Sequence, residues 1–465
     1  PLTYLPLGPK QVLALASWST CLVALAIIYK TLRSHARSPL LANAGILLLI
    51  AIAPILLSTS FGIQATNGMD TMLSLCANAL VVFCALRFLE APSSGRALGC
   101  GAATFFAVLA RPENGLCAFL VPFLIWLQSG RDRRIQHHGG LVLVPAAGIA
   151  VHLMVCYAYF GTALPLSFFV KSPNAYAEFL NRENAVTYLF TFASASIFYV
   201  IVAISASSAR QLRAMAPFVI PLGLTFAYLL TVRQIMGFEG RLYFPFLPYL
   251  IVPAILAFDA RLREAAPGAI EAAWKGAAVL AGLIFLQPGS LVAAPMEGAY
   301  LKLIGPIDVV HPSLRIKAEE HLPSVGRVTA IRAISEDIVS KLPHGAVVAA
   351  SEVGYLGATA QHVSIIDLVG LNDTTIGLGQ FSMDYLMEKR PDLIWFPHPD
   401  YVALRKAMFE DPRLFERYTV IADAFDYGIA IGKDSPYRED IESRVADTFD
   451  ALYGERDLSA YIASS

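Results

Sequence analysis

The chain has 465 residues, of which 56% are hydrophobic and only 15% charged, and its mean hydropathy is +0.57. Water-soluble domains carry about 25% charged residues, so this composition excludes an ordinary soluble protein and points to a polytopic membrane protein. A net charge of -1 and a pI near 6.9 leave no basic excess to neutralise a phosphate backbone, which sets nucleic-acid binding aside.

The sequence starts at Pro1 with neither an initiator Met nor a charged region ahead of an apolar one, so the start reads as trimmed rather than as a signal peptide. Crossing a hydrocarbon core of about 30 Å takes around 20 helical residues. Runs of suitable character lie near 11–30, 40–58, 71–89, 97–111, 114–128, 140–159, 185–206, 215–232, 242–258 and 273–293, which predicts about ten spans. Alternate connections differ sharply in charge. One set carries Lys30, Arg33, Arg37, Arg87, Arg96, Arg131, Arg133, Arg134, Arg210, Arg213, Arg261, Arg263 and Lys275; the other carries only Lys10, Arg111, Lys171, Arg182, Arg233 and Arg241. The positive-inside rule places the richer set in the cytoplasm. The poorer set, whose connections 59–70, 160–184 and 233–241 are the longer ones, is then expected outside, together with everything after about residue 296.

From about residue 297 short β-rich runs alternate with amphipathic stretches, and the charge density becomes that of a soluble domain. Strands are predicted at Gly345–Ser351, Val363–Leu368, Leu393–Phe396, Tyr418–Ala424 and Gly428–Gly432, with helices over 316–341, 381–389, 401–410 and 437–453. Alternation of this kind implies an α/β layer fold. The expected division is therefore a membrane domain over 1–296 and a soluble α/β domain over 297–465. All six cysteines fall in apolar stretches before residue 157, without a C-x-x-C pair, and read as small buried residues rather than disulfides or zinc ligands.

Candidate chemistry gathers at the poorer side. Ionisable groups at a membrane boundary usually face a water-filled cavity or pair with one another, and Asn67, Asp70, Arg111, Glu113, Lys171, Glu239 and Arg241 all lie there. Asp70 begins a span, where a helix cap is the plain alternative to a functional carboxylate. In Arg111-Pro112-Glu113, proline breaks the helix and leaves a cation and an anion at one turn; a guanidinium so placed could clamp a phosphate, or simply pair with its neighbour. Lys171 follows Phe168 and Phe169, as in an interfacial segment, although a lone lysine often only snorkels. Glu239-Gly240-Arg241 stands at the mouth of a proline-containing span, and prolines in spans accompany irregular backbone lining a cavity. In the soluble part, Val353-Gly354-Tyr355-Leu356-Gly357 reads as a glycine-containing turn and Asp367 ends a strand, where it could bind ligand or organise a turn. His137-His138 belongs to a basic loop that topology alone explains.

Taken in order, G-M-D-T, L-A-R-P-E, F-G-T-A-L-P-L-S-F-F-V-K, G-R-L-Y-F-P-F-L-P and V-G-Y-L-G…I-I-D-L-V-G-L-N-D resemble the motif set of the polyprenyl-phosphate-dependent GT-C glycosyltransferases, within them the bacterial terminal arabinofuranosyltransferase group. The resemblance implies a bacterial plasma-membrane protein whose catalytic cavity opens to the extracytoplasmic side. It further implies a polyprenyl-phosphate sugar donor, a glycan or protein acceptor, and an extracytoplasmic C-terminal domain shaping the acceptor side. Asp70 stands where the group usually has Glu, and Leu166-Ser167 where Pro-Asn is common. The group's paired acidic motif precedes a stretch resembling P-L-T-Y-L-P-L, so the resemblance places it ahead of Pro1, and a chain without it could be inactive. On this reading Arg111, Lys171 and Arg241, with Asn67 and Asp367, bind substrate, while Asp70, Glu113 or Glu239 orients or deprotonates the acceptor hydroxyl. No ligand cluster of metal spacing is visible, and assistance by a divalent cation stays open. A transporter or flippase would instead put charges near span midpoints and show two related halves; a non-catalytic scaffold is the third alternative.

Overall fold

The computed structural model describes residues 9–66, 70–128, 139–164, 166–170, 182–206, 208–231, 238–264, 312–399, 401–454 and 456–464. The chain divides into two compact units, one made of Pro1–Val155 with Asn181–Pro306 and the other of Cys156–Leu180 with Ile307–Ser465.

The first unit is a helical bundle. Its helices are α1 (Pro9–His35), α2 (Pro39–Ala42), α3 (Ala44–Ala51), α4 (Ala53–Leu56), α5 (Thr59–Thr66), α6 (Thr71–Glu90), α7 (Ser94–Ala110), α8 (Asn114–Gln128), α9 (Gly140–Phe160, of which the part from Cys156 on falls in the second unit), α11 (Arg182–Ala206), α12 (Ala209–Leu229) and α13 (Leu247–Glu264). A short helix, α10 (Leu166–Val170), belongs to the second unit. Among the described residues six helices are long and apolar enough to cross a membrane: Gln11–His35, Thr71–Glu90, Gly140–Phe160, Ala185–Ala206, Gln211–Leu229 and Phe244–Glu264. Ser94–Ala110 and Asn114–Leu127 are shorter apolar helices. The apolar run 40–58 is not one span. Asn43 caps α3 by accepting the N–H groups of Gly45 (3.0 Å) and Ile46 (3.2 Å), and Pro54 opens α4, so the run breaks into pieces of 4, 8 and 4 residues. The predicted span 273–293 lies outside the described residues.

At the basic end of the bundle the chain is tied together. Asp259, 1% exposed, accepts the backbone N–H groups of Arg37 (3.0 and 3.1 Å) and Ser38 (2.8 Å) and meets Arg263 Nε at 3.2 Å. A buried carboxylate requires such compensation, and here it fastens the exit of α1 to the end of α13. His35, at the end of α1, faces Glu90 at the end of α6 (3.2 Å). The bundle core is aromatic around α11, α12 and the turn before α13: Phe192, Phe226, Tyr243 and Phe244 pack ring on ring, with centroids 5.2–6.0 Å apart.

The second unit holds a five-stranded sheet in the order β2-β1-β3-β5-β4, made of β1 (Val347–Ala350), β2 (Ser364–Asp367), β3 (Leu393–Trp395), β4 (Tyr418–Ile421) and β5 (Ile429–Gly432). The strands β1, β2 and β3 are parallel, while β5 pairs antiparallel with β3 and with β4. All five fall within the predicted strand positions, where short β-branched and apolar runs are bounded by turn residues. The helices of this unit are α14 (Arg327–Arg332, continued by tighter and wider turns to Lys341), α15 (Val353–Thr359), α16 (Thr374–Gly379), α17 (Met383–Lys389), α18 (Val402–Phe409), α19 (Pro412–Arg417) and α20 (Arg438–Tyr453). The predicted turn at Val353–Gly357 is thus the start of a helix. Helix 316–341 begins only at Arg327, after Gly326 at φ 85°. Buried Arg405 donates to the carbonyls of Pro397 (2.7 Å) and Tyr427 (2.9 Å), joining the segment after β3 to the turn before β5, and burial pushes its guanidinium down to about 10.

Candidate functional site

The connections at the end of the helical unit away from the Asp259 tie bring four of the singled-out residues together. Helix α7 ends at Ala110 because Pro112 disfavours the helical region for the residue before it, and Arg111 is extended (φ -158°, ψ 130°). Its side chain turns inward and is only 5% exposed. Asp70 occupies the position before α6 but makes no side-chain cap hydrogen bond; its backbone is in the helical rather than the extended region that N-caps adopt. The carboxylate instead meets two guanidiniums, with Arg241 Nη2 donating to Oδ1 at 2.8 Å and Arg111 Nε at 3.3 Å from Oδ2. Glu113 lies 3.7 Å from Arg111 Nε, so the local pair expected within R-P-E is also present. The Asp70 side chain is 40% exposed and opens the cluster to solvent, whereas Arg241 is 13% exposed.

Arg241 is delivered by a tight turn. Glu239 (φ 53°) and Gly240 (φ 70°) both have positive φ, and at Gly240 a Cβ would stand 3.3 Å from the Tyr188 carbonyl and from Phe244. Only glycine suits that position on both counts. Glu239, a non-glycine residue in the left-handed region, costs of order 1–3 kcal/mol and is retained where surrounding contacts over-determine it. One such contact is the Ser60 hydroxyl, which donates to Glu239 Oε2 at 2.6 Å.

Unmet hydrogen-bonding capacity is present in this region among the described residues. Arg111 Nη1 and the Thr71 hydroxyl are buried without a hydrogen-bond partner. A buried donor left in this state costs about 1–3 kcal/mol, and a cluster that keeps one beside a half-open carboxylate is suited to receiving an oxygen-rich anion. The charges of Arg111 and Arg241 are meanwhile met by Asp70 and Glu113.

Beneath this cluster lies a polar network that the sequence did not single out. Ser74 and Asn78 follow Asp70 at four-residue steps on α6 and meet Asn114, the first residue of α8. Asn114 Nδ2 donates to Ser74 Oγ (2.7 Å) and to the Ala107 carbonyl (2.8 Å), while its Oδ1 accepts from Ser74 Oγ (2.9 Å) and Asn78 Nδ2 (2.9 Å). Asn78 also donates to the Pro245 carbonyl (3.0 Å) and accepts from the Tyr249 hydroxyl (3.1 Å). This network joins α6, the R-P-E turn and the irregular backbone before α13, which carries Arg241. The available signal was Asn78 itself, an amide in mid-span that must find partners where no water is present.

Asn67 and Lys171 lie outside the described residues. Asp367 belongs to the second unit, at the end of β2. Its Oδ1 accepts the N–H groups of Val369 (3.0 Å) and Gly370 (3.2 Å), and its Oδ2 those of Asn372 main chain (2.9 Å) and side chain (3.0 Å). Burial pushes its carboxyl up, and these four donors oppose that shift. The arrangement organises a loop, the turn alternative, and it shapes the loop tightly. Gly370 (φ 83°) sets its carbonyl 2.5 Å from where a Cβ on Gly377 would stand, and Leu166 of α10 lies 3.3 Å from the same point. Leu166 and Val170 are each 2% exposed, so α10 is seated firmly in this unit. Among the described residues no group of three or more His, Cys, Asp or Glu side chains is arranged to hold a metal ion.

The apolar helices define a membrane protein with a small C-terminal sheet domain. Residues 318–444, within that domain, match the model of a domain of unknown function (DUF8728). No curated protein matches the chain.

Proposed function

We propose that the protein is a membrane-embedded glycosyltransferase that takes a sugar from a polyprenyl-phosphate donor and passes it to an acceptor hydroxyl outside the cytoplasm. The observation that carries this reading is the convergence of Arg111 and Arg241 on Asp70, with Arg111 Nη1 buried and unsatisfied. Transfer from a lipid phosphate develops negative charge on the departing phosphate, and two fixed guanidiniums at the rim of a helical bundle stabilise it while its lipid tail stays in the bilayer. In this scheme the phosphate replaces Asp70 on the guanidiniums. The released carboxylate, or Glu113 or Glu239, then orients the acceptor hydroxyl. The motif resemblance supports the lipid-linked donor and suggests arabinofuranose as one sugar to try first.

The test is transfer of label from a radiolabelled polyprenyl-phosphate sugar to a glycan acceptor by the full-length gene product in proteoliposomes, with Arg111→Gln and Arg241→Gln beside it. Loss of transfer in well-folded variants is expected. Undiminished transfer by both variants refutes the assignment, and lipid translocation without transfer by the unaltered protein replaces it with a flippase.

A further inference from the structure

The opposite, basic end of the bundle holds a cavity of about 300 Å³ between α6, α12 and α13, at the small end of the ligand-pocket range of about 300–1,000 Å³. Leu86 and Leu89, Met215, and Leu256 and Ala260 form much of its wall, and Gln211 is the one polar side chain among its lining residues. That glutamine is half committed. Its Oε1 accepts the Ser208 N–H at 2.7 Å in the capping box that starts α12, but its Nε2 is buried and has no hydrogen-bond partner among the described residues. A buried amide donor beside an apolar cavity is suited to an acceptor that comes with an apolar body to fill the space.

The layout along the helix axes narrows the occupant. The cavity runs from Val252 to Ala260 on α13, about 12 Å at 1.5 Å per residue. Gln211, at the first turn of α12, lies at its outer end, and Phe218, two turns further on, at its inner end. Just beyond the outer end, Arg261 follows Ala260 and is 64% exposed, with Glu264 at 4.0 Å as a weak partner. From the middle of the bundle outward the order is therefore apolar slot, single N–H donor, guanidinium. A diacyl glycerophospholipid has the matching order of acyl chain, ester carbonyl and phosphate.

We infer that this cavity is a phospholipid site, in which one acyl chain lies against α6, α12 and α13, its ester carbonyl accepts from Gln211 Nε2 and its phosphate meets Arg261. The site is separate from the Asp70 cluster and does not depend on the proposed activity. Lipid adducts on the purified protein, read by native mass spectrometry, test it with dioleoyl phosphatidylcholine and its diether counterpart, which lacks only the carbonyls. The ester lipid is expected to be retained several-fold more than the ether. Gln211→Leu should level the two, and Ala257→Trp, which fills the slot, should remove both. Equal retention of ester and ether lipid by the unaltered protein overturns the inference, and that comparison stands even if a variant fails to fold. A benzophenone side chain at position 214, on the cavity wall, supplies a second reading. A covalent lipid adduct supports the site, whereas a cross-link to residues 273–293 of the same chain shows that the protein fills the slot itself and overturns it.

Discussion

Replacing Asn114 by Leu, which keeps the branching of the side chain but is larger and apolar, tests whether the buried polar network supports the fold. The substitution removes all four hydrogen bonds that the amide makes. The Ala107 carbonyl keeps the Arg111 N–H at 3.2 Å, and Asn78 keeps the Pro245 carbonyl at 3.0 Å, so neither is stranded completely. Two groups are left bare: the Ser74 hydroxyl and one N–H of Asn78, both on fully buried side chains. At about 1–3 kcal/mol for each orphaned group the sum is about 2–6 kcal/mol. Membrane hydrogen bonds averaging about 0.6 kcal/mol pull the lower bound towards 1 kcal/mol. We expect about 2–4 kcal/mol. Adding Ser74→Ala removes one of the orphans, so the double variant should be about 1 kcal/mol more stable than the single one instead of less stable. Reversible unfolding in mixed micelles by a denaturing detergent measures both. A single variant within 0.5 kcal/mol of the unaltered protein, or a double variant that merely adds a further loss, refutes the argument that these side chains satisfy one another.

Arg111→Lys keeps the charge but discards the guanidinium plane; losing one charge-assisted contact of about 1.5–3 kcal/mol should lower kcat/KM for transfer by about 10–150-fold. Gly377→Ala forces a methyl to within 2.5 Å of the Gly370 carbonyl and 3.3 Å of Leu166. It should cost about 1–3 kcal/mol and make residues 166–170 more open to protease, seen as faster cleavage there than elsewhere. Asp411 caps α19 and is held below the usual carboxylate range chiefly by the Arg413 side chain. Because the unfolded chain binds the proton first as pH falls, this stabilisation is complete above about pH 4 and is lost as pH drops through the lower folded value. Asp411→Asn should therefore raise the acid-unfolding midpoint, measured by circular dichroism. Finally, Gly240→Ala, strained by its positive φ and by the Tyr188 carbonyl, should reduce transfer along with stability if the turn sets Arg241.

The elements most legible in the sequence were those fixed by short-range pattern. Long apolar runs such as 71–89 and 185–206 correspond to α6 and α11, and the five strands lie where alternating or continuous apolar residues placed them. The grouping of Asp70, Arg111 and Arg241 was also foreseeable, since loop charge alone puts the three at one end of the bundle. Less legible was anything decided by a partner far along the chain. The run 40–58 has the composition of a span, but Asn43 and Pro54 divide it. The Asn78–Asn114–Tyr249 network links residues 36 and 171 positions apart, a coincidence that no periodicity announces. Asp70 had the sequence context of a helix cap, and only the approach of two guanidiniums redirects its carboxylate. Asp367 had the context of a ligand-binding acid, while its own loop supplies four donors.

The tie made by Asp259 has a mechanical consequence. It rivets the exit of the first helix to the tail of α13, and the imidazole of His35 against Glu90 draws the third long strut of that group to the same end. A bundle pinned in this way resists splaying at that end, because the carboxylate that holds the seam is out of reach of solvent, whereas at the other end the Asp70 carboxylate is 40% exposed and water competes for its ion pairs.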